Sequence, residues 1–241
     1  SVRPVSSPGL AGPSLERMKR LCHQTWTEAK PVTIGDEVDR YLRGRGINQG
    51  AYPRTLRFHP SLGYYEKQPG QKRSKLIASY AAMIACVQGP DGHAVTLHRT
   101  YLRDGRKALG DQSKKLLSAG INGAAVRLDE ATDELALTEG IETALAVRLR
   151  TGKPTWAAIN CGNLERIWIP EQVQRVCIYA DNDSDAEFAG QASAYILAQR
   201  LVREAKKAGV PRTVEVFVPR QAGTDWADIW LASLAKDKRA A

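Results

Sequence analysis

The sequence has 241 residues, a hydrophobic fraction of 43% and a formal net charge of +9. That apolar content supports a packed core and excludes global disorder, and no apolar run reaches the roughly 20 residues needed to cross a bilayer. The charge is uneven: residues 1–130 hold 21 Lys and Arg against 11 Asp and Glu, whereas residues 131–241 hold 14 against 15. One half is therefore expected to attract polyanions and the other to use its acids. The four cysteines, Cys22, Cys86, Cys161 and Cys177, form no CxxC pair. They read as reduced thiols of a cytoplasmic protein, with no zinc expected.

Residues 1–13, rich in Pro, Ser and Gly, read as a flexible leader with no signal-peptide core. Residues 14–130 then read as a basic α+β module. Ser14 caps a predicted helix running through Leu21 to Ala29, and Thr33 or Asp36 caps a second that ends near Arg43-Gly44. Leu56–His59 is a short predicted strand. Ala82–Val87 and Ala94–Leu102 flank Pro90-Asp91-Gly92 as a hairpin, and Asp104-Gly105 turns the chain into Arg106-Lys107. Lys72, Arg73, Lys75, Arg103 and Arg106 crowd this hairpin, with Tyr64, Tyr65 and Tyr101 interleaved. Cations contact phosphates and aromatic rings stack on unpaired bases, so the mixture suits a single-stranded template. Arg99, Lys107, Lys114, Lys115 and Arg127 are the candidates for template or nucleotide-phosphate contact.

The pattern changes after residue 131. Strands are predicted at Leu135–Thr138, Thr155–Ile159, Arg175–Ala180 and Thr213–Val218, with helices at Gly140–Arg150 and Phe188–Ala208. Trp226 and Trp230, spaced i, i+4, read as core positions of a last helix. Strands alternating with helices predict a parallel sheet flanked by helices, and such sheets bind ligands at the carboxyl ends of their strands. Three acidic groups fall there: Glu139 after the first strand, Asp181 and Asp183 after the third, Asp225 and Asp228 beyond the fourth. Each alone also has the look of a turn or helix cap. Together on one edge they repel one another unless a cation holds them, and hard oxygen donors suit Mg²⁺ or Mn²⁺.

This order of elements resembles the Toprim domain, most specifically in EGIETALA (139–146) and YADND (179–183). The preceding YLRGRGI, LRFHPSLGYYE and GAAVRL resemble the segment before the Toprim domain in phage- and plasmid-type primases and primase-helicases. The resemblance implies a Toprim-like α/β sheet over 131–241 behind the smaller basic module. It implies a metal-dependent DNA primase, a nucleotidyltransferase that makes short primers from nucleoside triphosphates for a mobile element. A helicase partner or fused helicase domain goes with that family. Carried over to this chain, Glu139 is the general acid/base or a metal ligand, Asp181 and Asp183 are metal ligands, and Asp225 with Asp228 is the third acidic element. Glu142 is a further candidate ligand, three residues after Glu139 where replicative primases have an acid four residues on. The first glycine after Asp183 is Gly190, a longer spacing than many relatives have. The sequence holds no zinc-binding domain and no GxxxxGK[ST], so a catalytic fragment of a larger protein is expected. The same carboxylates serve Toprim nucleases, so a nuclease and a non-catalytic module that recruits DNA or a helicase stay open.

Overall fold

The computed structural model describes residues 15–67, 69–71, 74–117 and 121–240. The expected leader, the Ser14 cap and the Lys72-Arg73 pair lie outside the described residues. Helix α1 (Leu15–Glu28) leads into strand β1 (Lys30–Pro31) and helix α2 (Glu37–Gly44). Of the two caps expected for α2, Asp36 is the one used: its side chain accepts the Asp39 amide. Strands β2 (Leu56–Glu66), β3 (Lys75–Gln88), β4 (Ala94–Arg103), β5 (Arg106–Lys107) and β6 (Lys114–Leu116) complete a sheet of order β1-β2-β3-β4-β5, with β6 also on β4. Every pairing in it is antiparallel.

Strands β2 and β3 run well past the apolar runs that announce them. Register shifts between His59 and Leu62 and between Tyr64 and Tyr65 take up the irregularity around Pro60. Pairing then continues to Glu66↔Lys75, whereas β4 pairs with β3 only from Ala81 onward. The hairpin end is thus less covered than its base, and Tyr65, Leu76 and Ile77 are exposed there.

The second sheet starts at β7 (Val126–Arg127), just before the boundary expected at residue 130. It continues through β8 (Glu134–Thr138), β9 (Thr155–Ala157), β10 (Arg175–Tyr179) and β11 (Thr213–Phe217) in the order β11-β10-β8-β9-β7. β8, β9, β10 and β11 are parallel, and β7 is antiparallel to β9. Helices α3 (Ile141–Thr151), the short α4 (Cys161–Leu164), α5 (Ala189–Ala208) and α6 (Trp226–Ala240) accompany it. β8 and β10 are short apolar runs because they are buried on both faces.

One core joins the two modules. Leu42 of α2, Met83 of β3 and Leu102 of β4 pack in the same cluster as Ile141 and Leu145 of α3 and Ala157 of β9. Burying a side chain of this size contributes about 1.5–3 kcal/mol, so the modules are locked by packing. α6 adds a clasp from the far end of the chain. The Trp230 indole N–H donates to Gly46 O at 2.9 Å. Gly46 has φ +75°, and a Cβ there would come within 2.8 Å of Leu234, so the contact requires glycine.

Candidate active site

The parallel register sets the geometry of the acidic edge. Tyr179 of β10 lies beside Thr138 of β8 and beside Phe217 of β11. Glu139 and Asp181 therefore leave the sheet side by side. Asn182 between the two aspartates ties in the third acidic segment. Its amide N–H₂ donates to Pro219 O at 2.7 Å, its backbone bridges to Thr224, and Asp225 follows. Thr143 of α3 donates to Asp225 Oδ2 at 3.2 Å, closing the ring of segments.

Asp183 is held by the start of α5. The Gly190 amide donates to its Oδ2 at 3.0 Å, a favourable place for a carboxylate because the helix N-terminus is electropositive. A Cβ at Gly190 would lie 2.9 Å from Asp183 Oδ2 and 3.0 Å from Asp181 O. Gly190, seven residues after Asp183 in the sequence, thus lies against both aspartates, and its lack of a side chain is what permits it.

The carboxylates are electrostatically crowded. Burial, then the charges of Asp225, Glu139 and Asp183, push the Asp181 carboxyl up to about 8. Its Oδ1 is buried and has no hydrogen-bond partner. Burial and Asp183 also raise the Glu139 carboxyl, whose Oε2 accepts the Cys161 thiol proton at 2.8 Å. Burial and that same Glu139 push the Cys161 thiol up to about 12. An unpartnered buried oxygen among hard oxygen donors is what a divalent cation would satisfy. Among the described residues, no group of three or more His, Cys, Asp or Glu is drawn together closely enough to hold a metal ion alone.

Asp228 has a different position. It accepts the Asp225 amide while Asp225 Oδ1 accepts the Asp228 amide, a reciprocal cap at the head of α6, and Arg45 lies 3.9 Å away. Glu142 is also spoken for. It is buried, Oε1 accepts the Tyr41 hydroxyl at 2.7 Å and Oε2 accepts Lys114 Nζ at 2.9 Å. Burial alone would raise this carboxyl, but Lys114 and Tyr41 outweigh it and hold it down at about 2.

The basic candidates divide in the same way. Arg127 stacks over Trp156 at 4.4 Å and Trp168 at 5.5 Å and donates to Gly89 O and Pro90 O. It ties the β3–β4 turn to the second sheet. Arg99 is half-buried and donates to the Tyr101 hydroxyl and to Leu116 O. Lys107 is half-buried on β5. Tyr64 and Tyr101 are fully buried in a T-shaped cluster with Tyr80, so neither offers a face to a base, and of the interleaved tyrosines Tyr65 is the exposed one, at 52%. Lys114 and Lys115 sit on β6, and strand alternation sends them apart. Lys114 points to Glu142, and Lys115 lies 3.6 Å over the Tyr64 ring and bonds Tyr65 O at 2.8 Å. Both line an open groove of about 370 Å³ with Tyr65, Lys67 and Gln112. Through Lys114, which bonds Glu142 in the first turn of α3, the groove is connected to the helix that follows Glu139.

Sequence reasoning did not find the roles of Asn182, Thr143 or Tyr41. Asn182 carried a signal, a polar residue fixed between two strand-end aspartates. Thr143 and Tyr41 carried none, because their partners lie 82 and 101 residues away.

Residues 134–236 match the family model of the Toprim domain, and residues 16–128 match a domain of unknown function, DUF7146. No curated protein matches the sequence. Among solved structures, the chain is similar to a DNA primase domain from Pseudomonas aeruginosa at 13% identity and TM-score 0.55, covering 94% of this chain and 78% of that one. It is similar to a DnaG primase catalytic domain bound to single-stranded DNA at 11% identity and TM-score 0.56, covering 93% and 79%. It is also similar to the zinc-binding and RNA polymerase domains of Aquifex aeolicus primase at 14% identity and TM-score 0.51, covering 94% and 58%. At these identities the likeness is one of fold. The second half matches a Toprim domain and is preceded by an N-terminal domain of similar length, in a fold like that of primase catalytic domains. Among the described residues no helix is long and apolar enough to cross a membrane.

Proposed function

We propose that the chain is a metal-dependent DNA primase, a nucleotidyltransferase that joins nucleoside triphosphates on a single-stranded template. The observation that carries this reading is Asp181, whose buried Oδ1 lacks a partner beside Glu139, Asp183 and Asp225 while Lys114 faces the same edge from the other sheet. Asp181 and Asp183 would hold Mg²⁺ or Mn²⁺, with Asp225 completing the acidic surround and Asp228 capping α6 behind it. The ion, when bound, would offset the negative charge of a triphosphate during transfer of its α-phosphorus. Glu139, its carboxyl raised by burial, is suited to accept the proton of the attacking 3′-hydroxyl. The Lys114 ammonium, at the mouth of the groove, is suited to the triphosphate. Lys115 and the exposed Tyr65 along the groove are suited to template phosphate and base. A replicative helicase is the partner that would supply single-stranded template.

The test is a gel assay with single-stranded DNA, labelled ribonucleoside triphosphates and Mg²⁺ or Mn²⁺. Native chain should yield short labelled products, and Glu139→Ala should lower their yield by about a thousandfold. DNA cleavage without synthesis would replace the primase with a nuclease. Metal binding with neither product would leave a recruiting module.

A further inference from the structure

We infer that Glu142 is a positioning residue that docks the N-terminal module on the Toprim sheet and aims the Lys114 ammonium at the triphosphate site; this deepens the primase reading and rests on it. Glu142 lies in the first turn of α3, three residues after Glu139, yet both of its oxygens are taken by the other module. Tyr41 comes from α2 and Lys114 from β6. A buried carboxylate is costly unless paired and hydrogen-bonded, and here the pairing partners are the two elements that bring the first sheet against the acidic edge. Each Glu142 oxygen thus already carries one bond from the other module.

The same bond fixes Lys114. A lysine on a four-carbon stem is flexible, and this one, with its side chain 35% exposed, is held at 2.9 Å by Glu142, whose own side chain is 5% exposed. One of its three donors goes to Glu142, and the residue also lines the groove. The buried His98 of β4 is the neighbour of Leu116 across the β4–β6 pair, and its Nδ1 has no partner. The positively charged group of the nucleotide site is thus delivered by one module and aimed by the other.

The experiment uses the full chain with Glu142→Gln, which keeps an acceptor for Tyr41 and loses the charge, Lys114→Ala, and the pair combined. Affinity for fluorescent ATP with Mg²⁺ should fall about tenfold in each single variant, the loss of one charge-assisted bond. The double variant should be no weaker than Lys114→Ala, because Glu142 acts through Lys114. Native affinity in Glu142→Gln, or losses that multiply in the double variant, would overturn the inference. Mg²⁺ affinity without nucleotide should stay within about twofold of native in Glu142→Gln, whereas a loss of tenfold or more would make Glu142 a ligand instead. The rate of Lys114 modification by an amine-reactive reagent, read by mass spectrometry, should rise several-fold in Glu142→Gln, and an unchanged rate would sink the clamp. If native chain takes no ATP, the primase reading fails while this labelling still decides the clamp. Should Glu142→Gln not fold, Tyr41→Phe loosens the same carboxylate, and its labelling rate should also rise; an unchanged rate there has the same force.

Discussion

The two sheets handle charge in opposite ways. The parallel sheet gathers like charges from separate segments at one edge and leaves Asp181 unpaired among them. The N-terminal half ties its charges up locally. Arg99 of the antiparallel sheet is bonded to Tyr101 and Leu116, and Asp39 of α2 is bonded to Arg43 and Tyr52. Parallel strands that share a register end in the same row, so residues far apart in sequence converge just past it. Antiparallel neighbours end at opposite edges of the sheet, so the residues that follow them do not gather in one row. An acid after a parallel strand is therefore a stronger pointer to a site than an arginine within a hairpin.

The sharpest way to break that contrast is to remove the unpaired charge. Folding raises the Asp181 carboxyl from 3.8 to about 8. Over that range the folded, metal-free chain keeps a proton that the unfolded chain releases. The stability from that proton is in full below about pH 4 and is lost as the pH rises through 8. Asp181→Asn should thus be more stable than native at pH 8 without metal, by an amount on the order of a few kcal/mol, and should match it at pH 4. Thermal melting in chelator at the two pH values checks this. Equal pH dependence in native and mutant would show that Asp181 is not the crowded group.

A smaller effect is expected from the loop that holds the acids. Gly190→Ala puts a carbon 2.9 Å from Asp183 Oδ2 and 3.0 Å from Asp181 O. The backbone carbonyl cannot swing aside as a side chain can, so the two aspartates must move apart or α5 must shift. Mg²⁺ affinity should fall about tenfold, the cost of misplacing a ligand carboxylate, while the melting temperature drops little. Calorimetric titration of native and mutant chain measures it, and an unchanged affinity would separate Gly190 from the site.

The same contrast governs what the sequence made legible. In the Toprim half, short apolar runs with abrupt polar ends located β8 and β10 to within a residue, because a strand buried on both faces stops being apolar where it stops being buried, and the alternating Val214, Val216 and Val218 located the edge strand β11. Strand β9 ends at Ala157 rather than Ile159, where the backbone turns to φ 81°. The segments that carry Glu139, Asp181, Asp183 and Asp225 could be read because each follows such a run. In the other half, β2 and β3 looked half their real length, since Pro60, Ser61 and Gly63 interrupt the pattern and paired backbone extends past it. Strand β6 was hidden inside a basic run, and with it the opposed aims of Lys114 and Lys115. Nothing local in the sequence marks Glu142 as the partner of Tyr41, which is 101 residues away.

The mildest prediction separates the cations that face the groove from those spent on the fold. Lys115 lies along the groove, bonded to Tyr65 O, and its ammonium can still reach a phosphate. Arg127 was also a candidate by sequence, yet its guanidinium is committed to Gly89, Pro90 and two indole rings. Lys115→Ala should weaken single-stranded DNA binding about threefold and reduce the slope of log affinity against log salt by about one contact. Arg127→Ala should leave affinity and slope at native values and lower the melting temperature, because it removes a tie between the sheets. Anisotropy titrations across a salt series, with a melt on each variant, decide between them. A salt slope that falls in Arg127→Ala and stays native in Lys115→Ala would reverse the assignment and move the template path to the Trp168 side of the molecule.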